Sequence, residues 1–263
     1  MTAVVETAAG TAPQRGLAAL NPLAKIAGPG PAMIALVFVR DLSTPLVFLG
    51  LAYAVLLLGT RLAPRAYGIV IGVIPLAIIV VAAGFALWVD PARVEGSPEL
   101  VRIGAVVVTA GAAEVGLATG LRLAAIMALA FIGGLTTEGA DLVRALVQQL
   151  RVPYRIGYAG LAAIRFVPRF GHELAVIRQA HRVRGARGGV WAAPARVAGY
   201  VVPLLAGGIR HAERVALAMD ARAFGAHRDR TERHLVPWRR RDTVFVGVFW
   251  VVSIVVFVIV RPF

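Results

Sequence analysis

The chain has 263 residues, of which 59% are hydrophobic and only 16% charged, and it carries a formal net charge of +14. Soluble domains are closer to half apolar and a quarter charged, so water is not its main solvent and the length describes one integral membrane unit. No cysteine is present, which excludes disulfides, thiolate metal sites and cysteine nucleophiles.

Residues 1–22 are rich in Ala, Thr and Gly and lack the continuous apolar core with a basic flank of a cleavable signal peptide. They read as a flexible cytoplasmic tail. Apolar runs near the length needed to cross the hydrocarbon core lie at 24–41, 44–62, 66–89, 113–135 and 243–260, which predicts about five crossings. Gly28, Pro29, Gly30 and Pro31 interrupt the first run, so it either enters the bilayer broken or begins as a short interfacial segment. Gly68 with Gly72, and Gly116 with Gly120, form small-xxx-small pairs of the kind that permit close helix approach. Residues 100–112 are a candidate for an extra half-buried segment. Arg122 lies inside the fourth run, where an ionisable group either snorkels to the interface or contacts a polar face of a partner subunit.

Charge placement gives the direction of the spans. Residues 151–241 hold 18 Arg against five acids (Glu173, Glu213, Asp220, Asp229 and Glu232), so nearly all of the net charge lies there. Lys and Arg near span ends stay on the cytoplasmic side. The amino terminus, the loop with Arg61 and Arg65, and residues 137–242 are therefore expected inside. The loop from Asp90 to Arg102 and the carboxyl terminus are expected outside.

Between the fourth and fifth runs, helical apolar periodicity alternates with Arg. Along 158–184 the apolar positions Leu161, Ile164, Val167, Leu174 and Ile177 recur at helical spacing, while Arg165, Arg169, Arg178, Arg182 and Arg184 fill other faces. Pro168 predicts a kink inside this helix. A second helix is predicted over about 192–223, with Pro194 near its start and Pro203 as a second kink; Gly185, Gly188 and Gly189 separate the two. Glu173, Glu213 and Asp220 are expected to pair with neighbouring arginines. The fold expected is an all-α integral membrane protein, with about five transmembrane helices and long bent cytoplasmic helices. Its parts are a tail (1–22), four transmembrane helices (23–136), a cytoplasmic helical region (137–242) and a C-terminal transmembrane helix (243–263).

The string Arg165-Phe166-Val167-Pro168, then Glu173, Ile177, Gln179-Ala180 and Val183-Arg184-Gly185, resembles the first coupling-helix signature of the T components of energy-coupling-factor (ECF) transporters. Pro203-Leu204, Glu213-Arg214 and the run Ala218 to Gly225, with Arg230-Thr231, is similar to the second. In that family each coupling helix ends in an Ala-Arg-Gly or Ala-Arg-Ser type motif whose arginine docks in a groove of an ATP-binding-cassette ATPase. The resemblance implies that Arg184 and Arg222, flanked by Val183, Gly185, Ala221 and Ala223, are the docking points. Arg165, Pro168, Glu173, Gln179, Pro203, Glu213, Asp220 and Gly225 would support them. Val183 stands where Ala is usual, and Ala223 where Gly or Ser is usual. The resemblance extends more weakly to Leu121-Arg122-Leu123 and Asn21-Pro22-Leu23-Ala24-Lys25. It implies as partners two ATPase subunits, a small membrane substrate-binding S component and the lipid bilayer, with no cofactor and uptake of a vitamin or metal ion.

Other chemistries find little support. The only lysine is Lys25, followed by Ile26, so no Gly-rich phosphate loop ending in Lys-Ser/Thr exists. The five histidines lack helix-borne zinc spacing with a carboxylate. No pair of acids suggests a metal-dependent phosphotransferase. The reading is therefore of a protein that is not an enzyme. An enzyme acting on a lipid-linked phosphorylated substrate is the alternative, which lacks acids and histidines converging on the interface. Nucleic acid is not expected as a partner, because aromatics are not interleaved with the arginines.

Overall fold

A computed structural model describes residues 16–59, 67–89, 97–103, 106–184, 193–227, 232 and 234–260. The chain divides into two units, Met1–Glu138 with Pro237–Phe263, and Gly139–Val236.

In the first unit, α1 (Pro22–Ala27) and α2 (Gly30–Phe38) share the first apolar run, broken at Gly28-Pro29 where the sequence places its breakers. Asn21 caps α1: its side chain accepts from the Leu23 N–H at 2.9 Å, and Pro22 occupies the first turn, where a missing N–H costs nothing. α3 (Ser43–Gly59) follows. A π-helical turn, Ile69–Val73, leads into α4 (Ile74–Trp88). Pro75 has no N–H to return to the preceding turn, and the carbonyl of Val70 accepts the Tyr53 hydroxyl at 2.6 Å instead. α5 (Ala110–Gly134) starts at Thr109, whose hydroxyl accepts from the Ala112 N–H, and α9 (Arg240–Val260) closes the unit.

Among the described residues, three stretches, Ile69–Trp88, Ala110–Gly134 and Arg240–Val260, are long and apolar enough to cross a membrane; Pro22–Phe38 and Ser43–Gly59 are shorter apolar helices. This is an all-α membrane protein with one small addition. Between α4 and α5, the antiparallel strands β1 (Glu99–Ile103) and β2 (Val106–Thr109) form a hairpin. The half-buried segment expected at 100–112 is thus a β-hairpin followed by the start of α5. Its run Val106-Val107-Val108 is β-branched, a strand preference that carries no alternation to set it apart from the apolar helical patterns around it.

The core of this unit is built from α5. Leu121, Ala124, Ala125, Ala128, Leu129 and Ile132 meet Phe48, Ala52 and Leu56 of α3, with Leu36, Val70, Ile74 and Phe249 completing it. Small residues set the closest approach. A Cβ on Gly116 would strike the Ala82 carbonyl oxygen, and one on Gly120 would come within 2.8 Å of the Ile78 carbonyl oxygen. In lipid there is little hydrophobic drive between helices, so this backbone-to-backbone packing supplies the attraction. The other glycine pair, Gly68 with Gly72, meets nothing among the described residues.

In the second unit, α6 (Gly139–Gln149), α7 (Tyr154–Val183) and α8 (Ala193–Asp220) pack antiparallel in sequence. Gly157 and Gly160 of α7 lie against Val147 and Val143 of α6, and Gly139 faces Ile164. Farther along α7, Phe166 stacks on His211 (centroids 4.7 Å apart), Phe170 reaches Gly208, Glu173 lies against Gly207, and His181 meets Tyr200 edge-on at 5.1 Å. Each step up α7 is a step down α8, which defines a helical hairpin.

Candidate coupling surface

Pro168 and Pro203 lie inside α7 and α8 and do not end them. Each removes one backbone donor from the helix interior. Both are exposed, as are Arg165, Gln179 and Glu213. The ion pairs expected for Glu173, Glu213 and Asp220 do not form among the described residues, although Arg144 pairs with Asp141 at 2.6 Å. Glu173 instead turns its carboxylate onto the Gly207 backbone, filling the space that the missing side chain leaves. Arginines at an exposed face stay hydrated more cheaply than they pair, which is why the spacing alone misleads.

The two arginines singled out by the sequence both stand at helix C-termini. Arg184 is the C-cap of α7, with φ −71° and ψ 7°, and its N–H reaches the Ala180 carbonyl. Val183 beside it is 89% exposed. Gly185 lies outside the described residues. After α8 the backbone makes a Schellman turn: the Ala223 N–H donates to the Asp220 carbonyl (2.9 Å) and the Phe224 N–H to the Met219 carbonyl (3.0 Å). This makes Arg222 the C-cap and Ala223 the left-handed residue, with φ +53°. Glycine is the residue that adopts this conformation without strain, so the Ala at 223 carries a cost that a Gly there would not. Gly225, at φ +94°, makes the next bend. Ala221, Arg222 and Ala223 are all exposed.

The second tip is strapped down through Phe224, a member of the second signature, by partners that the sequence did not single out. Phe224 sits edge-on to both Tyr154 and Tyr158, with centroids 5.7 Å away in each case. Its ring is thus committed within the chain. The Tyr154 hydroxyl donates to the His227 carbonyl at 3.2 Å, and the Arg155 guanidinium to the Gly225 carbonyl at 3.3 Å. Beyond the tip, Gln148 accepts from the Val236 N–H at 2.9 Å and donates to the His234 carbonyl at 2.8 Å. Gln149 donates to the Val236 carbonyl. The start of α7 and the end of α6 therefore hold the segment that follows Arg222. The aromatic spacing Tyr154, Tyr158 on one helical face is a usable signal; its partner 70 residues away is not.

Because α7 and α8 run antiparallel, Arg184 and Arg222 lie at opposite ends of the hairpin. The separation is on the order of 40 Å along the helix axis, from the rise of a helix of this length. Arg122, in the first unit, is half-buried on α5 and reaches the Val37 carbonyl at 3.5 Å; its Nε has no hydrogen-bond partner. No cluster of three His, Cys, Asp or Glu able to hold a metal ion exists among the described residues.

The chain matches the family described as CbiQ, cobalt transport protein, over residues 14–233. Its curated relatives include the energy-coupling factor transporter transmembrane protein EcfT of Limosilactobacillus fermentum, 33% identical over 126 residues, covering 45% of this chain and 47% of that protein. The protein of the same name from Staphylococcus aureus is 29% identical over 154 residues, covering 55% and 58%. That of Thermotoga maritima is 32% identical over 99 residues, covering 36% of each. The chain spans about half the length of the first of these relatives.

Proposed function

We propose, from the premise that this chain belongs to the CbiQ family of cobalt transport proteins, that it is the transmembrane coupling subunit of an ECF-type importer. It transmits ATP-driven motion from two ATP-binding-cassette ATPases to a small membrane substrate-binding subunit, for uptake of a vitamin or a metal ion. Arg184, with Val183 and Gly185, engages one ATPase; Arg222, with Ala221 and Ala223, engages the other. Residues 137–242 and the amino terminus face the cytoplasm and the carboxyl terminus faces outward. Arg122 is offered to the substrate-binding subunit. The protein itself catalyses no reaction.

The observation that carries this reading is the placement of two exposed C-cap arginines at opposite ends of one antiparallel hairpin. Two similar grooves on two ATPases need two similar tips kept well apart. An arginine suits the task because its planar guanidinium makes bidentate, charge-assisted bonds to carboxylates, and an exposed valine beside it adds apolar area to bury on docking. A tagged pull-down from detergent-solubilised native membranes tests the reading. ATP-binding-cassette ATPases are expected with the unmodified chain and not with the Arg184→Glu, Arg222→Glu double variant. Absence of ATPases from the unmodified chain, or their retention by the folded double variant, overturns it.

A further inference from the structure

The motif Asn21-Pro22-Leu23-Ala24-Lys25 has no part in the coupling tips, yet its polar side chains are buried in the first unit: Asn21 is 4% exposed and Lys25, the chain's only lysine, 2%. Burying an ammonium is costly unless hydrogen bonds replace its water. The Lys25 Nζ donates to the Thr136 carbonyl at 2.7 Å and toward the Ala18 carbonyl at 3.4 Å. Thr136 lies just beyond the C-terminus of α5, where the unsatisfied carbonyls and the helix dipole favour a cation.

Asp242 is the complementary case. It is 1% exposed and sits in the first turn of α9, where the dipole favours an anion. Its carboxylate accepts from the Arg239 N–H at 2.7 Å, closing the N-terminus of α9 as in a capping box, and from the Asn21 N–H at 2.8 Å. Asn21 also donates to the Pro237 carbonyl at 3.5 Å, Arg241 to the Ala19 carbonyl, and Trp250 to the Ala27 carbonyl at 3.0 Å.

These contacts fall at the two places where the chain passes between units, after Glu138 and before Pro237. One short segment holds both: Lys25 grips the end of α5 two residues before the first crossing, and Asn21 with Asp242 grips the start of α9 just after the second. We infer that Asn21, Lys25 and Asp242 form a polar anchor that fixes both crossings to the membrane unit, so that the cytoplasmic unit moves about two held points and not on two free tethers. They are positioning residues. That the motion so constrained is ATP-driven rests on the coupling reading above; the anchor does not.

The absence of cysteine allows spin labels at Leu123→Cys and Val176→Cys, both exposed positions, with the inter-label distance distribution read by pulsed EPR on the full chain in nanodiscs. Lys25→Met is expected to widen the distribution about twofold, as a freed hinge samples more orientations, and Lys25→Arg, which keeps a charged donor, to restore it in large part. Asp242→Asn, which loses one of two acceptor oxygens, is expected to widen it from the α9 side and decides the question if Lys25→Met does not fold. An unchanged width in the folded variants overturns the anchor. ATPase co-purification, measured on the same preparations, separates the two ideas: its absence from the unmodified chain counts against the coupling reading, while the width comparison alone decides for or against the anchor.

Discussion

The two arginine tips share a position, the C-cap of a long amphipathic helix, and the described residues show how the chain is held beyond Arg222. The Arg222 tip turns through a Schellman motif and is pinned by Phe224 between two tyrosines, with Arg155 and Gln148 fixing the segment that leaves it. At the Arg184 tip, the described helix ends at an exposed valine and a C-cap with φ −71° and ψ 7°. A tip restrained before docking loses less conformational entropy when it binds, and the Phe224 clamp supplies such restraint at Arg222.

The largest effects test the shared feature. Arg222→Glu and Arg184→Glu, made singly, are each expected to lose about 2–5 kcal/mol of ATPase binding, the range for truncating a buried interfacial charge; quantitative co-purification against a salt series reads it. If either arginine is indifferent, the two tips are not equivalent in function. Phe224→Ala should destabilise the second unit by about 2 kcal/mol, less than for a fully buried ring because Phe224 is half-exposed. Hydrogen exchange should then quicken at residues 221–226 and not at 180–184. Gly157→Ala pushes a methyl into the stiff side chain of Val147, between the two tyrosines of the clamp, and is expected to cost about 1–2 kcal/mol in thermal unfolding. The smallest change has the opposite sign. Ala223→Gly relieves the positive φ and should stabilise the chain by about 0.5–1 kcal/mol. A destabilising result would mean that the Ala223 methyl makes contacts that outweigh the strain of its left-handed backbone.

Local patterns are legible in the sequence and distant partners are not. The apolar runs, the break at Gly28-Pro29 and the paired surface helices follow from periodicity and from Pro and Gly chemistry, which act over a few residues. Gly116 and Gly120 read correctly as a close-packing pair; Gly68 and Gly72, with the same spacing, face nothing among the described residues, because spacing carries no information about which helix lies opposite. The placement of Arg184 and Arg222 at helix ends follows from motif resemblance combined with helix-stop signals. Three features escape such reading. The β-hairpin is hidden among helical patterns. Glu173, Glu213 and Asp220 form no ion pair among the described residues, because hydration outweighs local pairing. The clamp on Phe224 draws its partners from a helix that starts 70 residues earlier.

The lengths of the first two apolar helices have a consequence for the surrounding lipid. Gly133 faces Ile26 of α1, and Arg122 meets Val37 of α2, so α1 and α2 together climb about 16 Å beside α5 before the chain turns through Arg40 and Asp41 and descends as α3. The α2–α3 hairpin therefore stops near the midpoint of α5, with charged groups at its tip. Such a hydrophobic mismatch within one subunit is relieved by thinning the bilayer on that side or by a neighbouring protein that completes the wall. The protein's behaviour is thus expected to depend on acyl-chain length, with shorter lipids fitting the hairpin side and longer ones the α4–α5 side.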